Sequence, residues 1–408
     1  MEKAIVLGGT NPHVQLLKKL KERGYYTILV DYYPNPPAKM YADEHIIAST
    51  MDKEAVLEIA ENRKVSLVIT TNIDQANTTA CYVAEQLNLP HPYSYETALN
   101  VTDKSKMKTI MWENDISTSP FFTCNSLEEI ESGKIHFPVV VKPADSNGSR
   151  GVYKCKDLEE LSGFLEDAKK ASRNGKVIVE GYVDGTEVSF YYFIQNQTAR
   201  YITSNQRFRF RAGTTGVIQS AGGLYPVALP EIIYQKMQEN ADRIAKAFKL
   251  DNTPIFIQAI ATDSDVFVIE FAPRIGGGLS YRLIENENQF DIINATIDSF
   301  LGNKPELHII QPDRYSAVMN VYAPGITMGK FLRTENAIQE GLAEEFYQYK
   351  MEGSEVSADM SSGSRVGAFF IQGKEVKDIY NKISGINNII EVLDNKGNAV
   401  MRHDIYNL

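Results

Sequence analysis

Residues 137–152 read FPVVVKPADSNGSRGV, in which three valines lead into Lys142 and then into a loop of small and polar residues. Consecutive valines predict a short buried strand. A lysine at the end of such a strand can serve as a point charge for a phosphate, while amides of the loop around Gly148 and Gly151 hold the phosphate oxygens. A surface lysine before a turn would give the same pattern, so this window alone leaves both interpretations open.

The residues before this window alternate strands and helices. AIVLGG, YTILVDYYPNPP and VSLVITTN are apolar strand patterns, and a segment of helical periodicity follows each of them. This order predicts a parallel, doubly wound sheet over residues 1–100. The loop GGTNPH lacks the GxGxxG spacing, so a dinucleotide site is not expected there, although Asp31 ends the second strand.

From residue 101 onward strands dominate the pattern. FPVVVKP, KVIVEGYV, TEVSFYYFIQN, ARYITSNQRFRF, TPIFIQAIAT and DVFVIEFAPR are strand patterns with two main helices between them. We therefore predict an α+β domain of antiparallel sheets over residues 101–310 and a smaller α+β domain over residues 311–408. In the latter, GSRVGAFFIQG places Arg365 and Gly367 before a buried strand, where we expect a structural role. The predicted fold class is α/β plus α+β.

The composition excludes several classes of protein. A chain of 408 residues suggests roughly two to four domains, and 43% hydrophobic with 23% charged residues is typical of a globular protein. The net charge of −10 argues against nucleic-acid or anionic-membrane binding. The histidines and cysteines show no metal-ligand spacing, and no apolar run approaches the ~20 residues that span a bilayer. Because the N-terminus enters a strand without room for a signal peptide, we expect a cytoplasmic location.

Three further motifs flank the opening window in a fixed order. DKSKMK, upstream, opens a helix with Lys104, and VIVEGYVDGTEVSF, downstream, carries Glu180 and Glu187 on two strands. FVIEFAPRIGGG then brings Glu270 and Arg274 out of a strand into three glycines. Lysines, a metal-binding carboxylate and an arginine are the groups that position a nucleoside triphosphate and neutralise its charge during phosphoryl transfer.

The order of these motifs resembles the ATP-grasp superfamily over residues 1–310. Residues 311–408 are similar to the cap of carbamoyl-phosphate-synthase-like and biotin-carboxylase-like members. The resemblance implies a Rossmann-like pre-ATP-grasp domain, an ATP-grasp domain of two α+β subdomains and a small C-terminal α+β cap.

The resemblance also implies a reaction. Such enzymes mostly activate a carboxylate as an acylphosphate, which an amine then attacks, with release of ADP and phosphate. PRIGGGLSYRLIE is similar to the loop that amino-acid ligases present to a carboxylate, so we expect an ATP-dependent carboxylate–amine ligase with small-molecule carboxylate and amine substrates. Two alternatives stay open: a bicarbonate-phosphorylating activity, as in carbamoyl-phosphate synthases and biotin carboxylases, and a non-catalytic ATP-binding protein. Relatives are often dimers, so the resemblance also allows a homodimer.

The ATP-binding residues follow from the resemblance. Glu180 would contact the adenine amino group, and Glu187 the ribose hydroxyls. The backbone of Gly181 and Val183 would read the base edge, and the loop of residues 146–151 would cover the phosphates. The full implied set, with both lysines on the phosphates, is Lys104, Lys142, Ser146, Asn147, Gly148, Ser149, Gly151, Glu180, Gly181, Val183 and Glu187.

The metal site departs from the superfamily pattern. Glu270 would coordinate Mg²⁺ or Mn²⁺ between the terminal phosphates, and Gln258 is the second implied ligand, where members usually carry Glu or Asp. Ala272 stands where they usually carry Asn, and it offers no ligand. Three readings stay open: one metal instead of two, a further ligand such as Asp263 or Asp265, or loss of catalysis.

Arg274 and the glycines after it would bind the reacting substrate. Arg274 would hold the developing charge of the phosphorylated intermediate, which makes it catalytic together with Lys142. The amides of Gly276, Gly277 and Gly278 would bind a substrate oxyanion.

Two further groups of residues have alternative interpretations. Arg207, Arg209 and Arg211 alternate in RFRFRAG, so a strand places them on one face. They would hold a carboxylate or phosphate of the acceptor substrate, or form a solvated cationic face. Asn72 and Asp74 follow a strand and would touch the second substrate, but a helix N-cap by Asp74 is the preferred interpretation.

Overall fold

The computed structural model describes residues 1–129, 136–146, 151–212 and 217–406, without the side chains of residues 211–212 and 217–218. Asn147, Gly148 and Ser149, which the sequence assigns to the phosphate-covering loop, lie outside the described residues. In the described ranges, no helix has the length and apolar character needed to cross a membrane.

The N-terminal part forms a parallel sheet of β1 (Lys3–Leu7), β2 (Tyr26–Asp31), β3 (Glu44–Ile47) and β4 (Leu67–Ile69), in the order β3-β2-β1-β4. The central strands are buried along almost their whole length, which is typical of parallel strands covered by helices. The predicted α/β character is confirmed. The helices that follow the strands are α1 (Asn11–Glu22), α2 (Lys53–Arg63) and α3 (Asp74–Gln86).

A helical pair, α4 (Tyr95–Thr102) and α5 (Lys104–Glu113), leads to the second sheet. Asp103 caps α5 by accepting hydrogen bonds from two backbone amides of its first turn. The second sheet is antiparallel, and it comprises β5 (Phe121–Cys124), β6 (Val139–Pro143), β7 (Tyr153–Cys155) and β8 (Val177–Gly181), with α6 (Leu158–Ala171) packed on it. The order β5-β8-β6-β7 puts the strand that ends near Lys142 beside the strand that carries Glu180.

In the described ranges, the third sheet has eight antiparallel strands. The strands of these ranges that follow β8 are β9 (Thr186–Gln195), β10 (Thr198–Ala212), β11 (Val217–Tyr225), β12 (Thr253–Ala261), β13 (Val266–Ala272), β14 (Tyr315–Tyr322), β15 (Met328–Leu332), β16 (Glu345–Gln348), β17 (Arg365–Gly373) and β18 (Glu391–Asp394). The large sheet has the order β13-β12-β9-β10-β11-β14-β17-β16, and β15 pairs with β18. Because β11 pairs with β14, this sheet continues past residue 310 into the C-terminal part. The three domain ranges stay a prediction.

One helix connects the N-terminal sheet to the large sheet. The remaining helices are α7 (Glu231–Ala247), α8 (Ser280–Asn288), α9 (Ile292–Phe300), α10 (Thr334–Gln339) and α11 (Val376–Ile389). Helix α9 contacts both β4 and β12, and it also packs on α1. Ion pairs of 2.6 Å join Lys19 to Asp291 and Arg23 to Asp298 across the α1–α9 contact. These contacts hold the N-terminal sheet beside β12, the strand that carries Gln258.

Candidate active site

Two adjoining cavities lie against the large sheet; the second sheet lines the smaller one, and the larger one is also lined by residues of α3, α4 and α5. The smaller, about 150 Å³, contains Lys142 and Glu180 in its lining. The larger, about 210 Å³, has Arg274 and Arg365 in its lining. Among the described residues, four side chains line both cavities, and we call them the junction residues: Lys104, Arg207, Gln258 and Glu270.

A lysine–glutamate–lysine cluster forms one wall of the smaller cavity. Glu180 on β8 pairs with Lys142 Nζ through Oε1 and with Lys108 Nζ through Oε2, each at 2.7 Å. All three side chains are buried. Burial raises the pKa of Glu180, but the two ammonium groups lower it by more, to about 2. Glu180 is therefore ionised at neutral pH, and it fixes the ammonium group of Lys142 in the cavity wall.

Lys108 is a residue of this cluster that the sequence motifs did not predict. The available signal was its position, because it follows Lys104 by four residues on α5 and so shares a helix face with it. Its Nζ also donates a hydrogen bond to Thr118 Oγ1 at 2.6 Å. Lys108 lines neither cavity. It therefore acts on the smaller cavity through its charge, and Glu180 is its direct partner there.

The turn after Glu180 presents backbone groups to the smaller cavity. Gly181, Tyr182 and Val183 all line it. The N–H groups of Gly181 and Tyr182 donate to proline carbonyls of neighbouring segments, whereas that of Val183 has no backbone partner in the described parts of the chain. A free N–H beside a carboxylate suits the edge of a nucleobase. The base contacts of Glu180, Gly181 and Val183 stay a prediction, with Val183 as the available donor.

Lys104 brings the first turn of α5 to the junction. Its Nζ donates to the Ser146 carbonyl at 2.7 Å and lies 3.2 Å from Glu270 Oε2. Burial raises the pKa of Glu270, but the ammonium groups of Lys104 and Lys142 lower it by more.

Gly151 has φ +71°, and a Cβ there would lie 2.8 Å from a side chain of α6, so this end of the loop requires glycine.

Arg207 and Arg209 both bind Glu187. Arg207 Nη1 donates to Glu187 Oε1 at 2.8 Å, and Arg209 binds the other carboxylate oxygen. The arginines share one face of β10, and they are ion-paired rather than forming a solvated face. The side chain of Arg211 lies outside the described residues. Since both oxygens of Glu187 are paired, its contact with ribose hydroxyls stays a prediction.

Gln258 on β12 lies directly opposite Glu270 on β13. Its amide is satisfied in one orientation, in which the nitrogen donates to Glu270 Oε1 at 2.7 Å and the oxygen accepts from Arg207. In this orientation the one acceptor atom of the side chain is bound to a guanidinium, and the expected role of Gln258 as a metal ligand stays a prediction.

The donors at the junction do not fit two divalent cations. Asp263 and Asp265, considered as replacement ligands, lie in the turn between β12 and β13 and line neither cavity. Asp265 instead pairs with Lys236 at 3.0 Å. Across the described ranges, no three His, Cys, Asp or Glu side chains come together as a metal-binding group. Glu270 is the one junction carboxylate, which suits a single ion shared with phosphate oxygens.

Arg274 is bound by a residue of the N-terminal part. Its Nε and Nη2 donate to the two carboxylate oxygens of Asp74 at 2.5 and 2.9 Å, and Nη1 donates to the Ile275 carbonyl at 2.8 Å. The predicted helix N-cap by Asp74 is wrong, because Ile73 occupies that position and Asp74 is the first residue of α3. Asp74 lines the larger cavity, whereas Asn72 lines neither. The pair leaves N–H groups on Nη1 and Nη2 for a ligand.

The three glycines join β13 to α8 and differ in their surroundings. A Cβ on Gly276 would lie 2.6 Å from Tyr191 Cε1, so this glycine is required by packing. Gly277 and Gly278 line the larger cavity, and a Cβ on either would meet nothing within 4 Å. The expected oxyanion contact therefore suits Gly277 and Gly278, whose backbone faces open space, better than Gly276.

Arg365, expected to be structural, lines the larger cavity. Its Nε donates to the Tyr322 hydroxyl at 2.7 Å, and Nη2 lies 3.5 Å from the Ser220 carbonyl. No carboxylate pairs with it among the described residues. Its location at the start of β17, which is in the large sheet, brings a cation of the C-terminal part to this cavity, which Val318 and Asn320 of β14 also line. The linear pattern could not show this, because β17 reaches the cavity only by pairing with β14.

Comparison with known proteins agrees with this geometry. Residues 135–282 match the family model of the ATP-grasp domain. The formate-dependent phosphoribosylglycinamide formyltransferase of Cupriavidus metallidurans is 26% identical over 302 residues, which cover 71% of this chain and 74% of that protein.

Solved structures extend the likeness over the whole chain. An L-amino acid ligase from Bacillus licheniformis has a TM-score of 0.79 at 17% identity, covering 97% of this chain and 99% of the other. A phosphoribosylglycinamide synthetase from Anaerococcus prevotii has a TM-score of 0.76 at 19% identity, covering 96% and 99%. The predicted fold class, α/β plus α+β with an ATP-grasp domain, is confirmed.

Proposed function

We propose that the chain is an ATP-dependent enzyme of the ATP-grasp superfamily that joins a carboxylate to an amine through an acylphosphate, releasing ADP and phosphate. The observation that carries this proposal is the pair of adjoining cavities with a cationic junction between them. A phosphoryl group that passes from one cavity to the other must cross Lys104, Arg207, Gln258 and Glu270.

The smaller cavity is suited to ATP. Lys142 and Lys104 approach it from β6 and α5, and each unit charge about 4 Å from a phosphate contributes roughly 4 kcal/mol of gross attraction at an effective dielectric near 20. A magnesium or manganese ion on Glu270 would neutralise further phosphate charge when bound. The base would lie beside Glu180 and the N–H of Val183.

The larger cavity is suited to the carboxylate substrate. A carboxylate oxygen there attacks the terminal phosphorus, and the bond from that phosphorus to the ADP oxygen breaks. The amine nitrogen then attacks the acyl carbon, phosphate leaves, and the nitrogen loses a proton. Arg274 and the amides of Gly277 and Gly278 lie where they would stabilise the oxygen charge of these steps. Arg365 is suited to an anionic group of either substrate.

We prefer a substrate of the amino-acid type to bicarbonate. The larger cavity, at about 210 Å³, has room for more than the four non-hydrogen atoms of bicarbonate. The relatives are named for different substrates, among them formate, phosphoribosylglycinamide and L-amino acids. Bicarbonate phosphorylation, the alternative that the sequence left open, is the second candidate. A homodimer and a cytoplasmic location stay predictions.

ADP release from Mg-ATP against pooled amino acids, other carboxylates, amines and bicarbonate tests the proposal. We expect ADP to form only with a pool that contains both a carboxylate and an amine, and the condensed product to appear by mass spectrometry. Lys142→Ala should abolish turnover, while Lys106→Ala, an exposed change on α5, should not. ADP formed with bicarbonate alone would favour the second candidate, and ATP bound without turnover in any pool would contradict both.

A further inference from the structure

The junction carries more positive than negative charge. Lys104 and Arg207 are cations, Glu270 is the one carboxylate, and Gln258 is neutral. A site built for two divalent cations needs several oxygen ligands around each ion, and carboxylates usually supply them. The junction residues instead supply one carboxylate and two positively charged side chains, so their net charge is positive.

The two hydrogen bonds of Gln258 explain how the junction differs from a site for two divalent cations. Its amide nitrogen donates to Glu270 Oε1 at 2.7 Å, and its oxygen accepts from Arg207. A carboxylate in the same place would put two anions side by side, an arrangement that a divalent cation stabilises. The amide removes that repulsion and fixes Arg207 at the junction.

Arg207 is held rigidly enough to act as a fixed cation. It lies on β10, the strand next to β9, and Glu187 Oε1 on β9 binds its Nη1 at 2.8 Å. With Gln258 on a third strand, two side chains orient one guanidinium. A planar guanidinium with spare donors matches two oxygens of a phosphate, as a metal ion would.

We propose that Arg207 takes the place of one of two divalent cations, so that the terminal phosphates are held by this guanidinium and by a single metal ion on Glu270. This inference rests on the proposed ATP site. On this inference, Gln258 in place of the usual Glu or Asp reflects a different way of neutralising the charge of the terminal phosphates and not a loss of catalysis.

The test counts metal ions on the full chain saturated with a non-hydrolysable ATP analogue, using the electron paramagnetic resonance of free Mn²⁺. We expect one Mn²⁺ per wild-type chain and two for Gln258→Glu, in which the new carboxylate faces Glu270. The affinity for the analogue is then measured in EDTA. Losing a partly buried, hydrogen-bonded charge should weaken metal-free binding at least ~30-fold in Arg207→Gln.

Arg209→Gln is the matched control, because it removes an equal charge from Glu187 without touching Gln258. We expect Arg209→Gln to weaken the binding of the analogue in EDTA several-fold less than Arg207→Gln does. Two ions on the wild-type chain, one ion on Gln258→Glu, or equal losses for both arginine variants would overturn the inference. Wild-type protein that binds no analogue under any condition would overturn the ATP site itself, which separates the two failures.

Discussion

Replacing Lys108 by methionine tests whether the lysine–glutamate–lysine cluster stabilises the nucleotide site. Methionine keeps much of the length of the lysine side chain but removes its charge. The change takes away one of the two ammonium groups that lie 2.7 Å from Glu180, at a position that lines neither cavity. Its effect on ATP binding is therefore electrostatic, and Glu180 is the group that it contacts directly.

The pKa of Glu180 gives the magnitude. It falls from its ordinary 4.5 to about 2, and since one pKa unit corresponds to about 1.4 kcal/mol, the ionised form of Glu180, after the cost of its burial, stabilises the folded protein by about 3 kcal/mol at pH 7 relative to the protonated form. Breaking a buried pair outright costs about 3–5 kcal/mol, but Lys142 remains, so we expect Lys108→Met to lose about 2 kcal/mol. Because the folded pKa is depressed, this stabilisation is present above pH 4.5 and is lost as the pH falls toward 2.

Urea unfolding at pH values from 7 to 3.5, together with ATP affinity at pH 7, measures the effect. The difference between wild type and Lys108→Met should be largest at pH 7 and should shrink below pH 4.5. The double variant Lys108→Met with Glu180→Gln removes the unbalanced carboxylate and should recover part of the lost stability. Lys106→Met, on the exposed face of α5, is the control. A stability difference that is the same at every pH, or no difference at pH 7, would refute this reasoning.

Three shorter predictions concern the larger cavity. Asp74→Asn should lower turnover at least ~10-fold with little change in ATP affinity, because it loosens Arg274 outside the smaller cavity; steady-state kinetics with each substrate varied measures this. Gly276→Ala should lose about 1–3 kcal/mol by urea unfolding, whereas Gly277→Ala, which meets open space, should stay within about 0.5 kcal/mol. Arg365→Gln should raise KM for one organic substrate and leave KM for ATP unchanged, and a parallel rise in both would contradict its location.

The sequence was sufficient for features carried by local pattern. The strand that leads to Lys142, the helix that Lys104 opens and the strand that ends near Arg274 all appear where apolar runs and turn residues predict them. It was not sufficient for partners that are far apart in the chain. Asp74 and Arg274 are 200 residues apart, so an N-cap was the natural reading of the aspartate until the fold brought α3 beside the glycine loop.

The same limit explains why Gln258 and Ala272 could be read only as departures from the metal-site pattern. In a linear pattern, a missing carboxylate reads as a missing metal ligand, because the pattern contains only the positions that members of a family share. The compensating group, Arg207, lies on a different strand, 51 residues earlier in the chain, and its alternation with Arg209 suggested only a common face. Strand pairing places that guanidinium against the amide oxygen of Gln258. On the proposal above, the amide of Gln258 and the cation of Arg207 form one coupled change. Exchanging Gln258 alone should therefore alter the metal requirement more than it alters the affinity for ATP.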